Sequence, residues 1–276
     1  MSLPDFLIIG AMKCGTSTLQ AQLKAQSGVF MTDPKEPNFF SDDDVYAKGL
    51  DWYRGLYGDA PEGALKGEAS THYTKLPTYP DCVSRMRKDL DRPKLVYLVR
   101  NPVERLISHY LHLWSMREAP DDFETALSSD PTLVAYSQYS MQIEPFVNWV
   151  GSQNIFLTSL ERLKSRRSGE LADIGEFLGI DTAWVDASER MNASADRARA
   201  IPLQGLILDN PVAAGLRRAL VPKSLRTAIR NRLIRQEPEL ATETRSRLQA
   251  LFAPDFAKLQ KMFPDSSRYE AAYAFR

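Results

Sequence analysis

Phe6-Leu7-Ile8-Ile9-Gly10-Ala11-Met12-Lys13-Cys14-Gly15-Thr16-Ser17-Thr18-Leu19 is the stretch on which the fold turns. Its short apolar run ending in glycine suits a strand buried on both faces. The loop that follows carries Gly10 and Gly15 at phosphate-loop spacing, and Leu19, Leu23 and Ala25 belong to a helical pattern that stops near Gly28. In an α/β sheet the first strand-to-helix loop is a natural anion site, because backbone N–H groups converge there and the helix dipole adds to them. One feature departs from an ATP-type loop. Thr16 stands where that loop needs lysine, and the lysine comes three residues earlier, at Lys13. A plain strand–turn–helix junction is the alternative, but the run Thr16-Ser17-Thr18 favours a phosphate. Cys14 has no histidine partner in view and reads as loop packing.

Outward from this unit the same alternation repeats. Lys94–Val99 is a second apolar strand, followed by Arg100-Asn101-Pro102 and a helix that starts with proline at its first position. A third strand, Asn154–Thr158, leads into a helix ending at Phe177-Leu178-Gly179. Strands alternating with helices imply an α/β fold: a P-loop-like central parallel sheet flanked by helices. No linker divides the chain, so residues 1–276 are expected to form one domain with a mostly helical part from about 202.

The chain has 276 residues, with 35 basic and 35 acidic side chains. Zero formal net charge argues against a general nucleic-acid binder. Two cysteines are too few for a disulfide framework, and the three histidines form no helical metal pair, so no metal is expected. The apolar run near the N-terminus is far short of the ~18 residues of a membrane span and has no basic flank, which makes a cytoplasmic address the expectation. One local imbalance stands out: residues 217–235 hold seven Arg or Lys and no acid. It reads as a surface helix or as an attractor for an anionic acceptor.

Lys13-Cys14-Gly15-Thr16-Ser17-Thr18-Leu19 resembles the 5′-phosphosulfate loop, K-x-G-T-[ST]-x-L, of sulfotransferases that use 3′-phosphoadenosine 5′-phosphosulfate (PAPS). Tyr97-Leu98-Val99-Arg100-Asn101-Pro102, with Ser108 eight residues after Arg100, is similar to that superfamily's second signature. The resemblance implies that Lys13, Gly15, Thr16, Ser17 and Thr18 hold the 5′-phosphosulfate, while Arg100 and Ser108 hold the 3′-phosphate. A guanidinium and a hydroxyl suit a dianion chemically.

Lys35-Glu36-Pro37-Asn38-Phe39-Phe40 and Tyr46-Ala47-Lys48-Gly49-Leu50-Asp51-Trp52-Tyr53 look like segments of the heparan sulfate 3-O- and N-sulfotransferase branch. Gly67-Glu68-Ala69-Ser70-Thr71-His72-Tyr73 and Tyr139-Ser140-Met141-Gln142 match it too. The branch implies Glu36 as the base that takes the acceptor's proton and Lys13 as the group facing charge on the leaving oxygen. On its own, Glu36 beside Lys35 would read as a solvated acid. Trp52 and Tyr53 read as partly core or as a pair that stacks on a sugar, His72 as adjacent to the site or as a structural histidine, and Gln142 as acceptor-side; Arg197 and Arg199 stand in for the branch's nucleotide-closing loop. Departures are Ala69, where 3-O-sulfotransferases carry lysine, and Gln142, where N-sulfotransferases carry histidine. The expected acceptor is a glycan, a glycolipid or another small molecule. A magnesium-dependent nucleotide kinase is disfavoured by Thr16 and by an arginine following the strand that ends at Val99. A noncatalytic anion-binding module would make Glu36 and Lys13 incidental.

Overall fold

The computed structural model describes residues 3–180, 184, 238 and 240–274. Its sheet has five parallel strands: β1 (Phe6–Gly10), β2 (Val29–Met31), β3 (Leu65–Ala69), β4 (Lys94–Val99) and β5 (Ile155–Ser159). Their spatial order is β2-β3-β1-β4-β5. Every residue of β1 is buried, as a central parallel strand demands. Because β3 lies on one side of β1 and β4 on the other, the chain reverses its winding at β1. The crevice beyond the carboxyl ends of these three strands is therefore where such sheets take ligands.

The helices in chain order are α1 (Thr16–Lys24), α2 (Asp43–Tyr46), α3 (Leu50–Gly55), α4 (Cys82–Asp89), α5 (Pro102–Met116) and α6 (Phe123–Ser129). They continue with α7 (Thr132–Ala135), α8 (Tyr139–Val150), α9 (Leu160–Ser165), α10 (Arg167–Leu178) and α11 (Thr242–Met262). Packing divides the chain into two compact units, one of Met1–Leu106, Thr132–Met191 and Ala241–Arg276, the other of Ile107–Pro131 and Asn192–Leu240. The whole sheet belongs to the first.

Local chemistry accounts for the elements nearest the crevice. Asn101 caps α5: its Oδ1 accepts from the amides of Val103 (3.1 Å) and Glu104 (3.2 Å), and Pro102 needs no partner at the first position. Gly179 ends α10 in the left-handed conformation, the usual glycine stop. Gly10 is required for a different reason. A Cβ there would lie 2.0 Å from Thr74 Oγ1, which donates to the Ile9 carbonyl at 2.7 Å.

Three expectations shift. The third strand spans Ile155–Ser159 rather than starting at Asn154. The helical run after it breaks at Arg166 into α9 and α10; β2 is an apolar run of only three residues, and β3 joins the sheet without an alternating or continuous apolar signal. Arg197, Arg199, the 217–235 stretch and most of the expected C-terminal helical part lie outside the described residues.

A buried carboxylate braces the β5 side. Glu170 on α10 is fully buried and accepts from Thr158 (2.6 Å), from Arg162 and from Arg268 (3.4 Å). Glu170→Ala should lower stability by about 3 kcal/mol, near the low end for breaking a buried ion pair because both arginines keep some solvent. Urea unfolding with an unchanged m-value reads this as a shift in midpoint.

Candidate active site

The end of β1 opens into the loop Ala11–Gly15, tied to the next strand by Ala11 N donating to Leu98 O at 2.7 Å. Gly15 sits at the N-cap of α1 with φ 91°, and no side chain caps the helix. Thr18 and Leu19 donate back to the Gly15 carbonyl. Among the described residues, the amides of Gly15, Thr16 and Ser17 donate to no protein acceptor, so a fan of N–H groups with the positive end of the helix dipole points outward. Such a fan fits a phosphate or phosphosulfate group. Thr16 is buried, Lys13 and Ser17 are half-buried, and Thr18 is exposed.

Cys14 lies beneath this loop, and burial pushes its thiol up to about 12. Its sulfur is 3.7 Å from the Tyr139 hydroxyl. That hydroxyl also donates to the Arg100 carbonyl (2.8 Å) and accepts from the Arg100 amide (3.3 Å). Tyr139 thus fixes the loop and the end of β4 to one another. The Arg100 side chain, 21% exposed, lies 3.7 Å from Glu104. Ser108 is half-buried on α5, in the portion belonging to the second unit.

Glu36 reaches the same edge of the sheet from the segment after β2. Its amide donates to the carbonyl of Ala69, the last residue of β3, at 3.0 Å. Its carboxylate accepts from the Thr71 hydroxyl at 3.3 Å to both oxygens and pairs with Lys35 at 2.5 Å. Ser70 accepts from the Asn38 amide at 3.2 Å, holding the other end of the segment. Glu36 and Lys13 are both non-glycine residues with positive φ, 56° and 72°. A side chain held there costs on the order of 1 kcal/mol or more, and such conformations gather at functional sites.

The residues expected to face an acceptor divide. Trp52 is half-buried, 6.0 Å from Phe39 with Lys48 over its ring at 4.6 Å. His72 is half-buried and stacks on Tyr79 at 4.8 Å; burial, aided by Lys75, pushes its pKa down to about 4, so it is neutral at pH 7. Tyr53 and Gln142 require correction. Tyr53 is fully buried, stacked on Phe39 at 4.5 Å, and its hydroxyl accepts from Tyr57. Gln142 is fully buried, and its amide is engaged by Leu76 N (2.7 Å), Leu76 O (2.9 Å) and Ala135 O (2.9 Å). It anchors the backbone just after His72 rather than presenting an amide to solvent.

Glu68, on β3 below Ser70, is also fully buried. Among the described residues neither carboxylate oxygen has a hydrogen-bond partner at ordinary distance, and burial pushes its pKa up to about 7, against the pull of the Tyr73, Tyr53 and Ser70 hydroxyls.

The sulfotransferase domain profile matches residues 3–208. The chain belongs to the sulfotransferase domain family. This sulfotransferase-family chain is 33% identical over 193 residues to heparan sulfate glucosamine 3-O-sulfotransferase 3A1 of Mus musculus, covering 67% of this chain and 48% of that protein. The membrane-associated sulfotransferase kil1 of Dictyostelium discoideum is 34% identical over 113 residues, 40% of this chain and 23% of that one. The chain spans about half the length, or less, of these relatives. A sulfotransferase from Alicyclobacillus acidocaldarius shares the fold, with a TM-score of 0.69 at 22% identity over 99% of both chains. Among the described residues, no helix is long and apolar enough to cross a membrane.

Proposed function

We propose that this chain transfers a sulfuryl group from PAPS to a hydroxyl, or an amine, of a carbohydrate or glycolipid acceptor. The observation that carries the reading is that the open α1 amides follow β1, while Glu36, its amide tied to the end of the neighbouring β3 and its carboxylate accepting from Thr71, lies at the same end of the sheet. The first suits a phosphosulfate, the second an acceptor proton. Arg100, and Ser108 by its place in the motif, are assigned the 3′-phosphate; Arg197 and Arg199 are assigned to closure over the nucleotide.

In the reaction the acceptor oxygen bonds to sulfur in line with the departing phosphate oxygen, and the S–O bond to that oxygen breaks. Glu36 accepts the proton from the attacking hydroxyl. Lys13, with the amides of Gly15, Thr16 and Ser17, faces the charge that grows on the phosphate. Tyr139 holds the loop and Arg100 in register for this. Trp52 and His72, both half-buried, are assigned the acceptor; Tyr53 and Gln142 support them from behind.

Transfer of radiolabel from PAPS to a panel of glycans, glycolipids and phenols tests the proposal. Label is expected on saccharide acceptors. Label on phenols alone would overturn the acceptor class, and none on any acceptor would overturn the activity.

A further inference from the structure

Lys75 follows the 3-10 turn Thr71–Thr74, four residues after the threonine that holds Glu36. It is only 9% exposed, and among the described residues no carboxylate lies within ion-pairing distance of its ammonium. What it meets is the Tyr136 ring, 5.9 Å away. The charges that act on it are Glu36, which attracts, and Arg105, which repels.

Arg105, on α5, is wholly buried. Its Nε donates to Ser137 Oγ at 2.6 Å and one terminal nitrogen to Leu133 O at 2.7 Å, while the other terminal nitrogen has no acceptor among the described residues. No described acid pairs with it. Glu36, the one described carboxylate acting on Lys75, is already paired with Lys35. Buried cations without an answering anion are unfavourable in an isolated protein. Here Lys75 follows the turn that holds the proposed base and feels its charge, and Arg105 acts on Lys75 in turn.

We propose that Lys75 is a specificity-determining residue that engages a negative group on the acceptor, a carboxylate or a sulfate ester, beside the hydroxyl that Glu36 deprotonates. This rests on the sulfuryl-transfer reading and narrows its substrate class to anionic saccharides. Lys75 then recognises the acceptor before any chemistry, so its loss raises acceptor KM and leaves the donor alone. The oxyanion could instead be the donor's own sulfuryl group, which the same experiment separates.

The pH dependence follows from its surroundings. Burial, with Arg105 adding to it and Glu36 opposing, pushes the Lys75 amine down to about 8. The neutral His72 and the Tyr136 ring, the other groups near it, supply no counter-charge. Selection for an anionic acceptor should therefore hold below pH 8 and fade as pH rises through it. An arginine at this position stays charged throughout.

The test uses the full chain, labelled PAPS and two acceptors: a uronic-acid-containing oligosaccharide and its carboxyl-reduced counterpart. Wild type should show a lower KM for the acidic acceptor. Lys75→Met should raise that KM about tenfold or more, as for a lost charge-assisted contact, with the neutral acceptor's KM and the PAPS KM unchanged. Lys75→Arg should restore selectivity and flatten its decline above pH 8. Calorimetric PAP binding checks that each variant is folded, and Lys75→Gln replaces Lys75→Met should the latter not fold. A raised PAPS KM in place of a raised acceptor KM would assign the anion to the donor and overturn the proposal. Equal losses on both acceptors would overturn it as well, with sulfuryl transfer intact. No transfer by wild type to either acceptor would instead remove the saccharide-acceptor reading, and this one with it.

Discussion

Glu36→Gln should reduce turnover by about 10²–10⁴-fold while leaving PAP affinity nearly unchanged, because a general base typically contributes that much. Glutamine keeps the shape and can still accept from the Thr71 hydroxyl that now meets both carboxylate oxygens. It loses the Lys35 ion pair, which is only partly buried and contributes little to folding. The backbone tether to Ala69 does not involve the side chain and should hold the loop in place. Steady-state rates paired with calorimetric PAP titration separate the two effects. Wild-type turnover in Glu36→Gln would pass the role to another group. Glu68 is then the first to test, since burial already brings it to about 7.

The second large effect belongs to Lys13. Lys13→Met should cut kcat by about 10²–10³-fold, the usual consequence of removing one donor aimed at developing charge. Methionine has similar length and no more difficulty with the left-handed backbone than lysine does. The loss should fall more on kcat than on PAPS KM, because the open amides of Gly15, Thr16 and Ser17 remain to bind the ground state. A change confined to KM would make Lys13 a binding residue only.

Much of the frame is readable from residues alone, and the reason is local. Phe6–Gly10 and Lys94–Val99 are continuous apolar runs, as strands covered on both faces require, and both fall where the sequence places them. Arg100-Asn101-Pro102 is legible because its three residues serve locally as strand end, helix cap and first helical position. Strand β3 is not, since Lys66, Gly67 and Glu68 favour neither period. It forms because Gly67 has no side chain to collide with the Phe6 ring, which a Cβ would approach to 2.1 Å. That information lies in the partner strand.

Site residues show the same limit. Glu36 and Lys13 lie in motifs, and the roles proposed for them come from the family resemblance. Tyr53 and Gln142 lie in motifs too, yet both are fully buried, because a motif records position and not which way a side chain faces. Lys75 escapes notice altogether. Its neighbours in sequence are an ordinary threonine and leucine, and the ring its ammonium meets, Tyr136, lies far along the chain. Tyr139, which ties Cys14 to Arg100, is equally a product of the fold.

At the centre stands the assignment of a 3′-phosphorylated adenine nucleotide to the loop between β1 and α1, with Glu36 acting beside it. Thermal unfolding of the full chain in buffer, with PAP, and with ATP–magnesium tests it most directly, because a ligand that binds the native state raises its stability by about 2.7 kcal/mol at a hundredfold excess over Kd. Tm should rise clearly with PAP and little or not at all with ATP–magnesium; a rise with ATP–magnesium and none with PAP would contradict the assignment.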